Sequence, residues 1–404
     1  MIPTRLIENS LRYKADRMLR LAQQGGKLVD MVSPPTVTLG AGNSATTLPG
    51  SVLQILTPSP IFTQGAIKSA IGVTKAGWSH FTNAAQDIYY PAGIEGAAGA
   101  RRGGMLGYVF ATDAPAIELL VLATSANSNE YRLWINDKPV TAAVQTITAD
   151  SSFRRLKIDN GSNPIGKIMF ETGFYISFCG VALGANYSVW PVRTDTPRLM
   201  VVGDSYAVGT GATKLGSGFA YQMGQRLGIA DCWVSGESGM GYCRPGQQSG
   251  KTALQKLAVD VTAFAPDWVV VCLGINDYDF AAGQVETDAS AYLAALLAAL
   301  PNAGVTVIGP WTAPGMVVPA VVATAIANAA AAQADAVASR RLRYFDTRAD
   351  GWQLGTGRTT SVSGTGNSNI YIGSDGVHPV QAGHDYLGMR AAHAVTEHLL
   401  AATA

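Results

Sequence analysis

From Arg198 onward the chain alternates short apolar runs with longer helix-length segments, and few architectures accommodate that rhythm. Arg198–Val202, Cys232–Ser235, Trp268–Leu273, Val305–Ile308 and Leu342–Phe345 read as strands, apolar along most of their length as strands buried on both faces are. Helices are expected between them at Tyr221–Gly228, Lys251–Ala263, Asp288–Leu300 and Val318–Arg341, with a last one at Gln381–Leu400. This β/α alternation predicts a parallel sheet with helices on both faces. Ligands of such sheets bind beyond the carboxyl ends of the strands, so the residues that follow each run are where chemistry is expected.

Gly203-Asp204-Ser205 follows the first run, Gly236-Glu237-Ser238-Gly239 the second, and Gly274-Ile275-Asn276-Asp277 the third. Near the C-terminus, Asp375-Gly376-Val377-His378-Pro379 supplies a carboxylate and an imidazole close together. Those are the partners a serine hydroxyl needs to become a nucleophile at neutral pH. Ser205 is the candidate nucleophile, His378 the base that takes its proton, and Asp375 the group that orients the imidazole. Attack on an ester creates an oxyanion, with the backbone N–H groups of Ser205 and Gly239 and the Asn276 amide as candidate donors. Taken singly, each residue has a plainer reading: Ser205 as a helix cap, Asn276-Asp277 and Asp375-Gly376 as turns. The joint arrangement, in this order at strand ends, favours catalysis. Asp204 and Asp277 read as loop braces, and His384, His393 and His398 as packing or helix-surface residues.

Rival motifs fail. A nucleophile elbow nearly forms at Gly236-Glu237-Ser238, but position 240 is Met240. A dinucleotide fingerprint nearly forms at Gly209-Thr210-Gly211, but Lys214 occupies the third glycine position, and no phosphate loop occurs. The histidines lack metal-ligand spacing, so neither a metal nor another cofactor is expected.

Order and context together resemble the SGNH, or GDSL, hydrolase family over about half the chain, from Arg198 onward. The resemblance implies a three-layer α/β/α domain and assigns Ser205, Asp375 and His378 as catalytic residues. It also implies an oxyanion hole of Ser205, Gly239 and Asn276. Two departures are visible: Tyr206 where many members have leucine, and Ser235 where asparagine often precedes the second block. Tyr206, Trp311 and Trp352 are candidate lining residues for an acyl or sugar pocket, with core packing at least as probable for lone aromatics.

The first half has a different texture. A helical lead (1–35) carries Ile7, Leu11, Ala15, Met18 and Ala22 on one apolar face, which suits the body of the protein or another subunit. Residues 36–191 show short β-type runs, among them Ile117–Ala123, Tyr131–Ile135, Phe153–Ile158 and Lys167–Glu171, with a hairpin turn expected at Asn136-Asp137. They predict an antiparallel, jelly-roll-like β-sandwich preceding the hydrolase domain (192–404), with Pro191–Pro197 as linker. The Gly/Ser/Thr-rich passage Ala349–Ser374 is expected to border the cleft, with Trp352 or Tyr371 offering a stacking face, or else to be a plain surface excursion.

Composition frames the partners. Only 14% of residues are charged and the formal net charge is +1, which points to neither nucleic acid nor a polybasic membrane contact. Of the cysteines, Cys232 and Cys272 read as buried thiols, while a Cys232–Cys243 bridge is conceivable. The first thirty residues carry Arg5, Arg12, Lys14, Arg17 and Arg20 and no secretory core, and Val317–Ala338 reads as a soluble helix. A β-sandwich before an SGNH domain resembles carbohydrate esterases that remove acetyl groups from polysaccharides. The expected partner is therefore an acetylated glycan, with no membrane insertion. Without an export signal, the protein is expected to be virion-associated, as a phage-tail deacetylase would be, or cytoplasmic. The helical lead would then serve attachment or homo-oligomerisation. The alternatives are a lipase- or thioesterase-type hydrolase on another short acyl ester, and a non-catalytic carbohydrate-binding module.

Overall fold

A computed structural model of the protein describes residues 10–24, 29–42, 45–48, 51–54, 62–63, 78–83, 86–91, 105–123, 129–173, 176–191, 197–357 and 363–404. Two compact units emerge. Of the described residues, 29–91 and 105–191 fall in one, and 10–24 and 197–404 in the other. The division falls within the expected linker (191–197); the helical part of the lead groups with the second unit, and its residues 29–35 with the first. Most of the expected linker (192–196), and Ile7 of the lead, lie outside the described residues.

The first unit is built from two antiparallel sheets. Phe153–Asp159, Ala116–Ala123 and Ile176–Gly184 are neighbours in one, and Glu130–Ile135, Gly166–Thr172 and Leu106–Thr112 in the other. Alternate residues such as Ile117, Leu119 and Val121 from the first join Leu133, Ile168 and Phe170 from the second in one buried core. Along Ile176–Gly184 the buried set runs Ile176, Phe178, then Val181, Leu183. The change of parity comes from a bulge between Phe178 and Gly180, which inserts one residue and flips the strand's later side chains. Asn136 and Asp137, both at positive φ (49° and 64°), make the two-residue turn joining Glu130–Ile135 to Lys138–Pro139.

The second unit carries the parallel sheet. Its strands are β1 (Leu199–Gly203), β2 (Cys232–Gly236), β3 (Trp268–Cys272), β4 (Gly304–Ile308) and β5 (Leu342–Phe345), in spatial order β2-β1-β3-β4-β5. Strands β1 to β4 are buried at every position, as the unbroken apolar runs require. The strand order reverses beside β1, which creates a crevice at the carboxyl ends of β1 and β3. Helices α1 (Leu11–Gln24), α2 (Ser205–Val208), α3 (Phe219–Arg226), α4 (Ala253–Asp260), α5 (Ala282–Ala299), α6 (Ala320–Ala331), α7 (Ala334–Ala338), α8 (Ser368–Tyr371) and α9 (Gln381–Thr403) complete the unit. The single helix expected over Val318–Arg341 is broken where Gln333 leaves helical geometry (ψ 53°). Its first part packs on α5 and on β5, and its second on β5.

Helix α1 packs on α9, and Lys14 pairs with Asp267 at 2.8 Å. Ala15 and Met18 are fully buried by this contact. Among the described residues of the apolar face, Ala15 and Met18 are thus covered within the chain, and Leu11 and Ala22 in part. No described helix is long and apolar enough to cross a membrane. Truncating Met18 to alanine should cost about 2–5 kcal/mol, as other buried large-to-small changes do. A lowered denaturant midpoint would show it; an unchanged one would mean that α1 is not part of the unit's core.

Candidate active site

The site begins where β1 stops. A side chain at Gly203 would place its Cβ 2.7 Å from that of Ala207 and 3.1 Å from the Cys272 carbonyl oxygen, so only glycine permits this strand-to-helix turn. Asp204 then caps α2 by accepting the Tyr206 N–H at 2.9 Å, and Ser205 becomes the helix's first residue. As such its own N–H has no acceptor within the helix. The Ser205 hydroxyl lies 2.9 Å from His378 Nε2, and His378 Nδ1 lies 2.6 Å from Asp375 Oδ2. A carboxylate can only accept, so Nδ1 carries the proton and Nε2 is left as the acceptor for the serine O–H. The other Asp375 oxygen accepts the N–H groups of Val377 (2.9 Å) and His378 (3.0 Å), which fixes the loop that presents the imidazole.

The opposite wall follows β2 and β3. Glu237 N donates to the Gly203 carbonyl (3.1 Å), which keeps the chain after β2 beside the end of β1. Gly239 adopts φ +78°, left-handed geometry that favours glycine, and a Cβ there would meet Gln247 Cγ at 2.9 Å. The next residue, Met240, accepts a hydrogen bond from the Asn276 side-chain nitrogen at 3.0 Å. One amide N–H of Asn276 is therefore anchored and its second remains for a ligand. Thus Gly239 and Asn276 are held on one short path of bonds.

Two buried carboxylates pin the intervening loop. Asp277 accepts the N–H groups of Tyr242 (2.8 Å), Cys243 (3.1 Å) and Arg244 (3.1 Å). Glu237 accepts those of Gln248 (2.9 Å) and Ser249 (2.6 Å) and the Ser249 hydroxyl, and pairs with Lys256 at 2.5 Å. Lys256 also meets Asp260 at 3.0 Å, and all three charged side chains are at most 2% exposed. Burial works to raise the Glu237 carboxyl, but Lys256 and Ser249 outweigh it and hold it below its usual range. At Asp277 burial prevails over its hydrogen bonds and the carboxyl is raised. Asp204 is pushed up to about 7, chiefly by complete burial, with the nearby Asp277 adding to the effect. At Asp375 burial is outweighed by hydrogen bonds from Val377 and His378, and the carboxyl is lowered.

The structure therefore brings together Ser205, His378 and Asp375, and separately ties Gly239 to Asn276. It does not bear out an exposed role for the aromatics. Tyr206, Trp311 and Trp352 are at most 2% exposed, because they pack ring on ring: Tyr206–Trp311 centroids lie 5.6 Å apart and Trp311–Trp352 5.8 Å. No face is left for a sugar. Arg390 covers Trp352 (4.9 Å), and Tyr371 stacks on Tyr386 (4.5 Å). The loop that carries Trp352 is tied down through its own bonds, Thr365 N to Thr356 Oγ1 and Leu354 N to Asn367 Oδ1 among them, while residues 358–362 lie outside the described residues. Cys232, Cys243 and Cys272 are free thiols, so the conceivable Cys232–Cys243 bridge is not formed. His384 and His398 are buried packing residues, each bonded through both ring nitrogens, and His393 is exposed beside Glu397. The Glu237–Lys256–Asp260 cluster was missed on sequence; its one signal was the i,i+4 spacing of Lys256 and Asp260 on α4.

Residues 201–386 match the GDSL-like Lipase/Acylhydrolase family. No curated protein sequence matches the chain. Among solved structures the chain is similar to the salicylyl-acyltransferase SsfX3 from a tetracycline biosynthetic pathway, at 14% identity over 84% of this chain and 95% of that one, with a TM-score of 0.59. It is also similar to a family two carbohydrate esterase from Cellvibrio japonicus (12% identity, 90% and 99% covered, TM-score 0.53). An active-site mutant of a family two carbohydrate esterase from Clostridium thermocellum gives 12% identity, 83% and 97% covered, and a TM-score of 0.52. At such identities the likeness is one of fold.

The buried charges are open to test. Glu237→Ala leaves Lys256 buried with one carboxylate fewer and should cost about 3–5 kcal/mol, much of it recovered in Glu237→Gln/Lys256→Met. Equal denaturant midpoints for the single variant and wild type would refute this. Asp204 has a folded pKa above its unfolded one, so its contribution is present at low pH and lost as pH rises toward about 7. The thermal midpoint of wild type should accordingly decline relative to that of Asp204→Asn across that window. Parallel pH profiles would show that the carboxyl is not perturbed.

Proposed function

We propose that the protein, whose residues 201–386 match the GDSL-like lipase/acylhydrolase family, is a carboxylic ester hydrolase that removes O-acetyl groups from a polysaccharide through an acyl-enzyme intermediate on Ser205. The reading is carried by the Ser205–His378–Asp375 relay, with separations of 2.9 and 2.6 Å. Support for the glycan comes from structural neighbours that are family two carbohydrate esterases, one of them solved with cellohexaose.

In the proposed reaction His378 Nε2 takes the Ser205 proton as Oγ attacks the acetyl carbonyl carbon. Asp375 stabilises the imidazolium without being protonated itself. The carbonyl oxygen becomes an oxyanion received by the N–H groups of Ser205 and Gly239 and the free N–H of Asn276. When the tetrahedral intermediate collapses, the C–O bond to the sugar breaks and His378 returns its proton to the departing hydroxyl. Water, deprotonated by His378, then attacks acetyl-Ser205, and a second collapse frees acetate and restores the serine. A sugar or other alcohol in place of that water gives acyl transfer, a second reading favoured by the likeness to SsfX3. Balance between the two is set by which acceptor reaches the acyl-enzyme.

Hydrolysis of p-nitrophenyl acetate, butyrate and octanoate, beside acetate release from acetylated polysaccharides, tests the proposal. Acetate should be preferred, Ser205→Ala should abolish turnover, and Asn276→Ala should lower it by about 10²–10³, roughly 3–4 kcal/mol. Activity that survives loss of Ser205 would remove the mechanism. Preference for octanoate would retain it but discard the acetylated glycan.

A further inference from the structure

We propose that Tyr206 is a positioning residue for this reaction, its hydroxyl holding the base-bearing loop at the distance at which His378 reaches Ser205. The inference rests on the acyl-enzyme reading above and adds to it a residue that touches neither substrate nor reacting atoms.

Tyr206 is the second residue of α2, adjoining the nucleophile, and its side chain is fully buried. Its hydroxyl donates to the Val377 carbonyl at 2.5 Å, across a separation of 171 residues. Val377 stands between Asp375 and His378, and its own N–H is already held by Asp375 Oδ1 at 2.9 Å. Both polar groups of that one residue are therefore fixed, the N–H by the acid of the relay and the C=O by the nucleophile's neighbour. Pinning both leaves the peptide that leads into His378 little freedom to rotate.

The tyrosine can serve as an anchor because its ring is fully buried and packed on other rings. It stacks on Trp311 at an interplanar angle of 10°, and Trp311 in turn meets Phe219 edge-on (5.4 Å). The ring also lies 6.1 Å from that of His378, centroid to centroid. Further stitches join the same two segments at greater distance from the relay. His384 Nε2 donates to the Thr210 carbonyl at 2.9 Å, and Gln381 Oε1 accepts from Thr213 and Ser217. They bring the segments together, and Tyr206 is the stitch beside the reacting groups. A leucine here would fill apolar space but reach no carbonyl.

The test is Tyr206→Phe, which keeps the ring stack and removes only the hydroxyl. With p-nitrophenyl acetate, kcat should fall about tenfold with KM within about twofold. Labelling of Ser205 by diisopropyl fluorophosphate should slow by a similar factor yet reach the full stoichiometric endpoint, with the thermal midpoint nearly unchanged. A merely structural role predicts the opposite pattern: a lower midpoint and fewer labelled sites, each as active as in wild type. That pattern, or wild-type kcat and labelling rate, overturns the proposal for Tyr206 alone. A wild-type protein that hydrolyses no ester and takes no label at Ser205 overturns the esterase mechanism and this inference with it.

Discussion

The contact between Ser205 and His378 joins residues 173 positions apart, and the architecture of the second unit is what makes it possible. One partner stands at the end of β1, next to where strand order reverses; the other lies on the segment that runs into α9. Neither segment is held by the relay itself, since one half-buried imidazole hydrogen bond is too weak to order two loops. The ordering comes from elsewhere: the tight turn at Gly203, the cap at Asp204, and the stitches between 206–217 and 377–384. The relay is the consequence of that scaffolding.

The oxyanion side uses a different physical device. Instead of aromatic packing, buried carboxylates gather backbone N–H groups, three at Asp277 and two at Glu237. Such groups are expensive to bury, and each must be met by donors or by a counter-charge. Lys256 and Ser249 together outweigh burial at Glu237 and hold its carboxyl low, whereas at Asp277 burial prevails over three N–H donors and the Arg244 charge, and its carboxyl is raised.

What the sequence made legible follows from these distinctions. Strands β1 to β5 announced themselves because a sheet covered on both faces demands unbroken apolar runs, and Ser205, Gly239 and Asn276 stood just after three of them. Helix limits were less clear where composition blurs them: α5 starts at Ala282 through a Gly-Gln-Val-Glu-Thr stretch with little periodicity, and the alanine-rich run conceals the break at Gln333. The aromatics, read as pocket lining or as core, stayed ambiguous for a physical reason. An isolated Trp or Tyr reads the same whether its ring meets solvent or another ring, and the partners of Tyr206, at Trp311 and Val377, are more than a hundred residues away. The Glu237–Lys256 pair was hidden for the same cause, being tertiary and aperiodic. In the first unit the alternation gave the sandwich, while the bulge at Phe178–Gly180 left no mark in the residue pattern beyond the Gly180 itself.

Placing Asp204 and Asp277 next in sequence to Ser205 and Asn276, two members of the proposed oxyanion hole, raises an electrostatic difficulty, because a negative charge close to a developing oxyanion opposes it. The geometry softens the conflict. Each carboxylate spends its charge on backbone N–H groups that it accepts at close range, which orients those dipoles and fixes the loops, and complete burial shifts Asp204 to about 7. Burial therefore favours the uncharged form of Asp204, and a neutral carboxyl still accepts the Tyr206 N–H that caps α2. The bracing function survives protonation while the repulsion does not. A residue that would be a liability as a permanent anion can thus sit next to the nucleophile, and the same burial that raises its pKa holds the serine at the head of its helix.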